Sequence, residues 1–458
     1  MEFLFTTVPE TGHTVPVAPF AAELVRRGHR VRWYTGEELG PLVQATGAEF
    51  VAMPTEWAPD QAHLASVFPE RAALRGLAQA RFDLEHLFIR PAGAHVAAMA
   101  GLLRERPAQA IVGDTWALAA GWLGELTGTP SSTIGVNPLL FPGADVPPAG
   151  LGLRPLTGPA GRVRDGMLNF VVRRIALAGP IRVADDVRAG LGLPRDGRNP
   201  TAYAARTGLY LQLCPPAFEF PRSDLPEHVH FLGHPAPSTP STVDSLPDWW
   251  PRLTEGRPVV LVTQGTIATD PAALLRPAIA GLAGLDVLVV AVTGGPDVAT
   301  LGPLPENVLA APFLPFDALL PHVDVMVTNG GFGGVQRALA HAIPLVVAGT
   351  TEDKKEVNVR VAHSGAGIDL RTSTPTAQAV ADAVRRVLRE PEYALSAARI
   401  RDSTPPGDPA SRGADLLERL AGQNTSPPGK PRDEADVPLR PPYGRQTPVR
   451  WPDRKSVV

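Results

Sequence analysis

Short apolar runs alternate with amphipathic stretches along this chain. Phe3 to Val8 reads as a buried strand, Pro16 to Arg27 as a helix with one apolar face, and Arg30 to Thr35 as the next strand after a stop at Gly28-His29. Ala110 to Gly113 reads as another buried strand, feeding a helix over Ala117 to Leu126 that ends at Gly128-Thr129-Pro130. The second half repeats the style, with valine-rich runs at Pro258–Thr263, Val287–Thr293, Val323–Thr328 and Pro344–Ala348 separated by helical patterns. Apolar runs without polar alternation mark strands covered on both faces, and the β-α-β order predicts parallel sheets with helices on either side.

A Pro/Ser/Thr stretch at Pro235–Thr242 divides the chain. The expected organisation is two doubly wound α/β domains, residues 1–233 and 251–422, joined by a linker at 234–250. From Gln423 onward the character changes. Residues 423–458 hold eight prolines, seven Lys/Arg and four Asp/Glu with scarcely any apolar periodicity. Such a segment cannot bury enough surface to offset its ordering entropy, so 423–458 is expected to be a disordered tail.

Composition narrows the function classes. A formal net charge of −3 over 458 residues gives no electrostatic footprint for nucleic acid. The single cysteine, Cys214, excludes an internal disulfide and any cysteine metal cluster, which fits a reducing cytoplasm. The N-terminus lacks a basic n-region, and no segment reaches the roughly 18 uninterrupted apolar residues of a membrane span. A soluble cytoplasmic protein is expected. The histidines are scattered without ligand spacing, so no metal site is expected.

The candidate chemistry lies where predicted strands give way to helices. Val327-Thr328-Asn329-Gly330-Gly331-Phe332-Gly333-Gly334 links a strand to a helix beginning near Val335. Its four glycines allow close approach of a ligand to the backbone, and the helix N-terminus offers unpaired N–H groups suited to a phosphate or diphosphate. Taken alone, the run is equally compatible with a tight structural turn. His13 follows the first strand, on the edge where open parallel sheets bind ligands. It suits a general base, or simply a loop-packing histidine. Asp114 ends a strand on the same edge, as a partner that orients His13 or as an N-cap for the following helix. Thr263-Gln264-Gly265-Thr266 and the Gly349–Lys354 loop occupy the corresponding edge of the second half, as ligand contacts or as an ordinary β-α turn and a solvated loop. No G-x-G-x-x-G fingerprint, Walker loop or G-x-S-x-G elbow is present.

Taken in order, these pieces resemble the family-1 nucleotide-sugar-dependent glycosyltransferases, above all the actinobacterial macrolide-type branch, over about residues 1–420. Gly12-His13-Thr14-Val15-Pro16 is similar to that family's G-H-x-x-P, and Asp114 with Trp116 to the segment supplying the partner of its histidine. Leu213 to Arg222 resembles the run leading into the interdomain linker. Gly265-Thr266 resembles the small donor turn, and Phe313-Leu314-Pro315-Phe316 the stretch that stacks on the nucleotide base. Asn329–Gly334 resembles H-G-G-x-G-S/T, and Asp353-Lys354 the Asp-Gln pair. Five positions depart from the pattern: Asn329 for His, Gly334 for Ser/Thr, Arg337 for Glu, Lys354 for Gln, and Phe316 for the Gln after the proline.

The resemblance implies a GT-B fold, with two Rossmann-like domains facing a cleft. It implies an inverting O-glycosyltransferase in which His13 is the base and Asp114 orients it. The donor, a UDP- or dTDP-sugar, would be held by Gly265, Thr266, Phe313, Asn329, Gly330, Gly331, Gly333, Gly334, Arg337, Asp353 and Lys354. Arg337 and Lys354 would bring charge to the diphosphate. No catalytic metal or other cofactor is implied. The acceptor would be a small apolar natural product, walled by stretches within 55–100 and 135–180. The substitutions at Asn329, Gly334, Arg337 and Lys354 keep open a non-catalytic homologue that binds a ligand or partner, and the fold itself keeps open a nucleotide-sugar epimerase.

Overall fold

The computed structural model describes residues 1–54, 67–234, 246–265 and 270–423. Most of the expected linker, Thr266, and the tail from 424 onward lie outside the described residues.

Two all-parallel sheets form the frame. The first comprises β1 (Glu2–Thr6), β2 (Arg30–Thr35), β3 (Glu49–Ala52), β4 (Ala110–Asp114), β5 (Ser131–Gly135), β6 (Leu209–Gln212) and β7 (Val229–Phe231), in the order β3-β2-β1-β4-β5-β6-β7. The second comprises β8 (Val259–Thr263), β9 (Leu288–Val292), β10 (Val308–Ala311), β11 (Val325–Thr328), β12 (Leu345–Val347) and β13 (Gly367–Asp369), in the order β10-β9-β8-β11-β12-β13. Each order reverses beside its first strand, at β1/β4 and at β8/β11. These are the switch points where doubly wound sheets open a crevice. The fold is therefore GT-B: two Rossmann-like units, as expected.

The apolar runs are strands because helices bury them on both faces. β8, β9, β11 and β12 are buried at every residue. Val260, Val262, Val289 and Val327 pack with Leu275, Ile279 and Val384 on one face of the second sheet. Leu261, Val290 and Met326 turn to the other face, against Val335 and Leu339. This is the two-residue alternation of a pleat with both sides covered.

The last helix, Pro409–Gly422, returns to the first sheet's side. Asp408 caps it by accepting the Ser411 N–H at 2.8 Å. Arg27 bonds Asp415 at 2.6 Å and Glu418 at 3.0 Å, and His29 reaches Glu418 at 2.7 Å. Gly413 lies so close to Phe20 that a Cβ there would sit 2.2 Å from the ring.

A second contact between the two halves is buried. Arg360, on the helix Lys354–His363, is 3% exposed and bonds Glu219 of the first half at 2.7 Å and Glu356 at 3.0 Å. Its guanidinium also donates to the Leu139 carbonyl at 3.2 Å and lies 4.3 Å from the centre of the Phe220 ring. Glu356 in turn accepts the Gly150 and Gly152 N–H groups at 2.9 Å each. Opposing acids hold the Arg360 cation charged despite burial.

Deleting one partner of such a cluster strands the others without water. Arg360→Ala is expected to destabilise the protein by about 3–5 kcal/mol. Chemical denaturation of the variant against wild type checks this.

Candidate functional site

The register of the first sheet assembles one side of the cleft. β1 and β4 pair with Thr6 opposite Gly113, so the residues after each strand emerge side by side. Asp114 is fully buried in its side chain and accepts three hydrogen bonds there. Its Oδ2 takes the Val8 N–H at 2.6 Å, and its Oδ1 takes the Trp116 N–H at 2.7 Å and His13 Nδ1 at 3.1 Å. Of the two alternatives open for Asp114, the N-cap is not the one adopted, since Ala117 caps the helix Leu118–Thr127 without a side-chain bond; the carboxylate holds His13 and the turn at Trp116 that precedes the helix.

His13 sits in a one-turn helix, Thr11–Thr14, rather than in the open loop expected from the sequence. Behind it, Thr7 hydrogen-bonds Thr14 at 3.0 Å and Thr35 at 3.1 Å, and receives the Trp33 indole N–H at 3.0 Å. This buried cluster fixes the chain on either side of the imidazole. An ionised carboxylate has no proton to give, so in neutral His13 the hydrogen belongs on Nδ1 and the lone pair on Nε2. The side chain is 18% exposed, which leaves an edge open to the cleft. Burial pushes its pKa down, but the Asp114 carboxylate, aided by Asp353 and Glu10, more than offsets that, and the net direction is upward from 6.5.

On the facing side, β11 pairs with β8 and β12 so that Thr328 lies opposite both Thr263 and Val347. The loops after these three strands therefore meet. Asn329 Nδ2 donates to the Gln264 carbonyl, and Asn329 Oδ1 accepts the Gly331 N–H at 3.3 Å. Gly330 adopts φ +87°, and a Cβ there would lie 1.8 Å from Asn358 Oδ1. Asn358 itself donates to the Gly349 carbonyl at 3.0 Å, tying the third loop in.

The helix begins at Phe332, so Gly333 and Gly334 form its first turn instead of extending the loop. The expected start near Val335 was a turn late, because glycine carries no apolar signal to read. Gly331 caps the helix without a side chain, leaving the first-turn N–H groups directed outward with no intrahelical partner. A Cβ at Gly333 would meet nothing within 4 Å, so the approach to those groups is open.

Asp353 is where the two sides touch. Its Oδ2 accepts Asn137 Nδ2 at 2.6 Å, and Asn137 follows β5 of the first sheet. Burial raises the Asp353 pKa, against the Asn137 hydrogen bond and the Lys354 and His13 charges that lower it. Sequence reasoning missed Asn137, since a lone Asn after a polar strand carries no motif. Lys354 is paired with Glu352 and lies 3.3 Å from Thr351 Oγ1. Arg337, in the last turn of its helix, bonds Asp317 at 2.7 Å and stacks 5.2 Å from the Phe316 ring centre. Its charge is already matched by a carboxylate. Phe313 stands 60% exposed after β10, beside Gly295 of the neighbouring loop. Gly265, at φ +76°, is the last described residue before Thr266. Among the described residues no group of three or more His, Cys, Asp or Glu is placed to hold a metal ion.

Residues 277–411 match the family model described as the C-terminal domain of erythromycin biosynthesis protein CIII-like proteins. The chain is 42% identical over 428 residues to the 4'-demethylrebeccamycin synthase of Lentzea aerocolonigenes, spanning 91% of this chain and 99% of that one. It is 33% identical over 438 residues to UDP-glycosyltransferase 2 of Phaeomoniella chlamydospora, covering 91% and 95%. Among solved structures, the calicheamicin glycosyltransferase CalG4 superposes with a TM-score of 0.71 at 24% identity, over 93% of this chain and 99% of that one. The glycosyltransferase VinC, solved in complex with dTDP, gives 0.66 at 22% identity, over 92% and 100%. At these identities the structural likenesses speak for the fold.

Two outcomes follow from the geometry. The His13 imidazole is expected to titrate above 6.5 and to fall on Asp114→Asn, which removes the charge while keeping an acceptor; NMR titration reads both. Because the folded pKa is the higher one, the stability contributed by protonated His13 is complete below 6.5 and lost as pH rises through the folded value. Gly330→Ala combines a left-handed backbone with a collision against Asn358, and a loss of about 1–3 kcal/mol is expected in chemical denaturation.

Proposed function

Since the chain belongs to the family-1 glycosyltransferases of the actinobacterial natural-product type, we propose that it is an inverting O-glycosyltransferase with His13 as its base. The observation that carries this reading is the buried Asp114 carboxylate on His13 Nδ1, with Nε2 left as a proton acceptor at the edge of the cleft. A hydroxyl of the acceptor gives its proton to Nε2 as its oxygen attacks the anomeric carbon of the donor. The bond to the nucleoside diphosphate breaks on the opposite face, inverting the configuration. The imidazolium that forms is stabilised by Asp114.

Charge growing on the leaving diphosphate would meet the first-turn N–H groups of Phe332, Gly333 and Gly334, within the Gly330–Gly334 run, and the positive end of the helix Phe332–Ala340. This explains how Asn329 and Gly334 can replace a charged and a hydroxyl side chain. The backbone does the binding, and Asn329 instead braces the loop against Gln264. Gly265 would border the same phosphates. Phe313 offers an exposed ring for the base, while Asp353 and Lys354 face the sugar. Arg337, matched by Asp317, would form a wall of the nucleotide site more than a source of charge. The donor is a UDP- or dTDP-sugar, and the acceptor a small apolar natural product.

His13→Ala is expected to lower transfer by about 10²–10⁴-fold while leaving nucleotide affinity within about twofold. Turnover that survives this change would remove His13 from the role. In wild type, transfer should decline as pH falls through the raised His13 value, since protonation consumes the lone pair. Calorimetry with UDP, dTDP and GDP identifies the donor class, and no affinity for any of them would favour a non-catalytic homologue.

A further inference from the structure

Eight of the fifteen large hydrophobic residues exposed among the described residues fall between 151 and 175. Five line one side of the helix Gly158–Val171 and its continuation Val172–Ala176: Val163, Met167, Phe170, Val171 and Ile175, at 41–69% exposure. Spacings of four, three and one from 163 to 171 place the first four on one face of a 3.6-residue helix. The opposite face is the one the protein covers. Gly161 and Asp165 are buried there, and Asn169 donates to the Val146 carbonyl at 3.2 Å. The helix is thus seated on one side and presents a continuous apolar stripe on the other, which is more than the scattered hydrophobics of an ordinary surface.

Charge says what would cover it. Residues 151–182 contain six arginines and one acid, Asp165, in a chain whose net charge is −3. Asp165 is taken up by Arg164 at 2.6 Å. Arg154, Arg162, Arg173, Arg174 and Arg182 are all exposed, and Arg174 lies 5.5 Å from the centre of the Phe170 ring. A second copy docked on this face about a two-fold axis would set these arginines against each other. An apolar stripe bordered by an excess of exposed arginines is the pattern of a helix lying in a membrane interface, with side chains among the acyl chains and guanidinium groups at the phosphates.

We infer that the helix over 158–176 docks the protein on anionic lipid surfaces, lying flat on them. Among the described residues no helix is long and apolar enough to cross a membrane, so the association is peripheral. The segment just before it, Gly150–Gly152, is bonded to Glu356 beside the cleft. Docking therefore brings the cleft near the bilayer, where an apolar compound would concentrate. The inference stands on the surface alone and does not depend on which sugar or acceptor the cleft takes.

The test is flotation of the full-length protein with vesicles of phosphatidylglycerol and phosphatidylcholine in equal parts, against vesicles of phosphatidylcholine alone. The protein should float with the mixed vesicles, and less so as salt is raised. Met167→Asp with Phe170→Asp, and separately Arg173→Glu with Arg174→Glu, should each weaken the association on the order of tenfold. These side chains are exposed, so unchanged thermal unfolding should show that both variants fold. Failure of wild type to float, or equal flotation of the folded Met167/Phe170 variant, overturns the proposal. A concentration-dependent dimer in light scattering that this variant abolishes would assign the face to a second copy and also overturn it.

Discussion

A guanidinium buried between the two sheets sets the geometry on which the cleft depends. Arg360 belongs to the second half, but Glu219, Leu139 and Phe220 of the first half surround it. Buried ion pairs add little net stability, because desolvation cancels most of the attraction. Their effect is to make one arrangement far better than its neighbours. Arg360 and Glu356 ride on the same helix that starts just after Asp353. Fixing that helix against residues 139, 150, 152 and 219 also fixes Asp353 against Asn137, and so the second half against His13. The return of the helix Pro409–Gly422 onto Arg27 and His29 adds a restraint far from the cleft.

Within that frame the two sides of the cleft carry opposite chemistry. The first sheet presents an imidazole backed by a fully buried carboxylate. The second presents backbone N–H groups at the start of a helix. One side suits proton removal and the other suits growing negative charge, and each works best where water is scarce. The N–H groups at the start of the helix Phe332–Ala340 belong to the backbone, so their direction does not depend on the side chains at Asn329, Gly334, Arg337 or Lys354. Gly330 shows how tightly that backbone is built: its turn is feasible only without a Cβ, because Asn358 occupies the space.

The two faces of the helix Gly158–Val171 illustrate a separate division of labour. Its inner stripe belongs to the fold through Gly161 and Asp165, whereas its outer stripe makes no contribution to the core. Burial alone would have removed Met167 and Phe170 from water, so their exposure beside exposed arginines marks a surface whose partner is lipid under the inference above.

The sequence alone determined the layered class of this protein, because strands covered on both faces leave uninterrupted valine-rich runs. β1, β2, β4, β8, β9, β11 and β12 are legible in this way to within a few residues. It also located His13, Asp114 and the 329–334 run, since residues at strand ends in a parallel sheet share one edge. β5 was not legible: Ser131, Ser132 and Thr133 carry no apolar run, and only tertiary partners such as the Ala204 carbonyl, 3.0 Å from Thr133 Oγ1, make their burial possible. Asn137 was lost with it. The tertiary structure decided whether Asp114 caps the next helix or meets a histidine, and it meets His13, because register brings Thr6 and Gly113 together. It also placed Arg337 on Asp317 and Arg360 at the domain boundary. Local sequence encodes periodicity and turns, but which charges meet depends on contacts between residues distant along the chain, 20 positions for Arg337 and Asp317 and 141 for Arg360 and Glu219, and no local pattern records those.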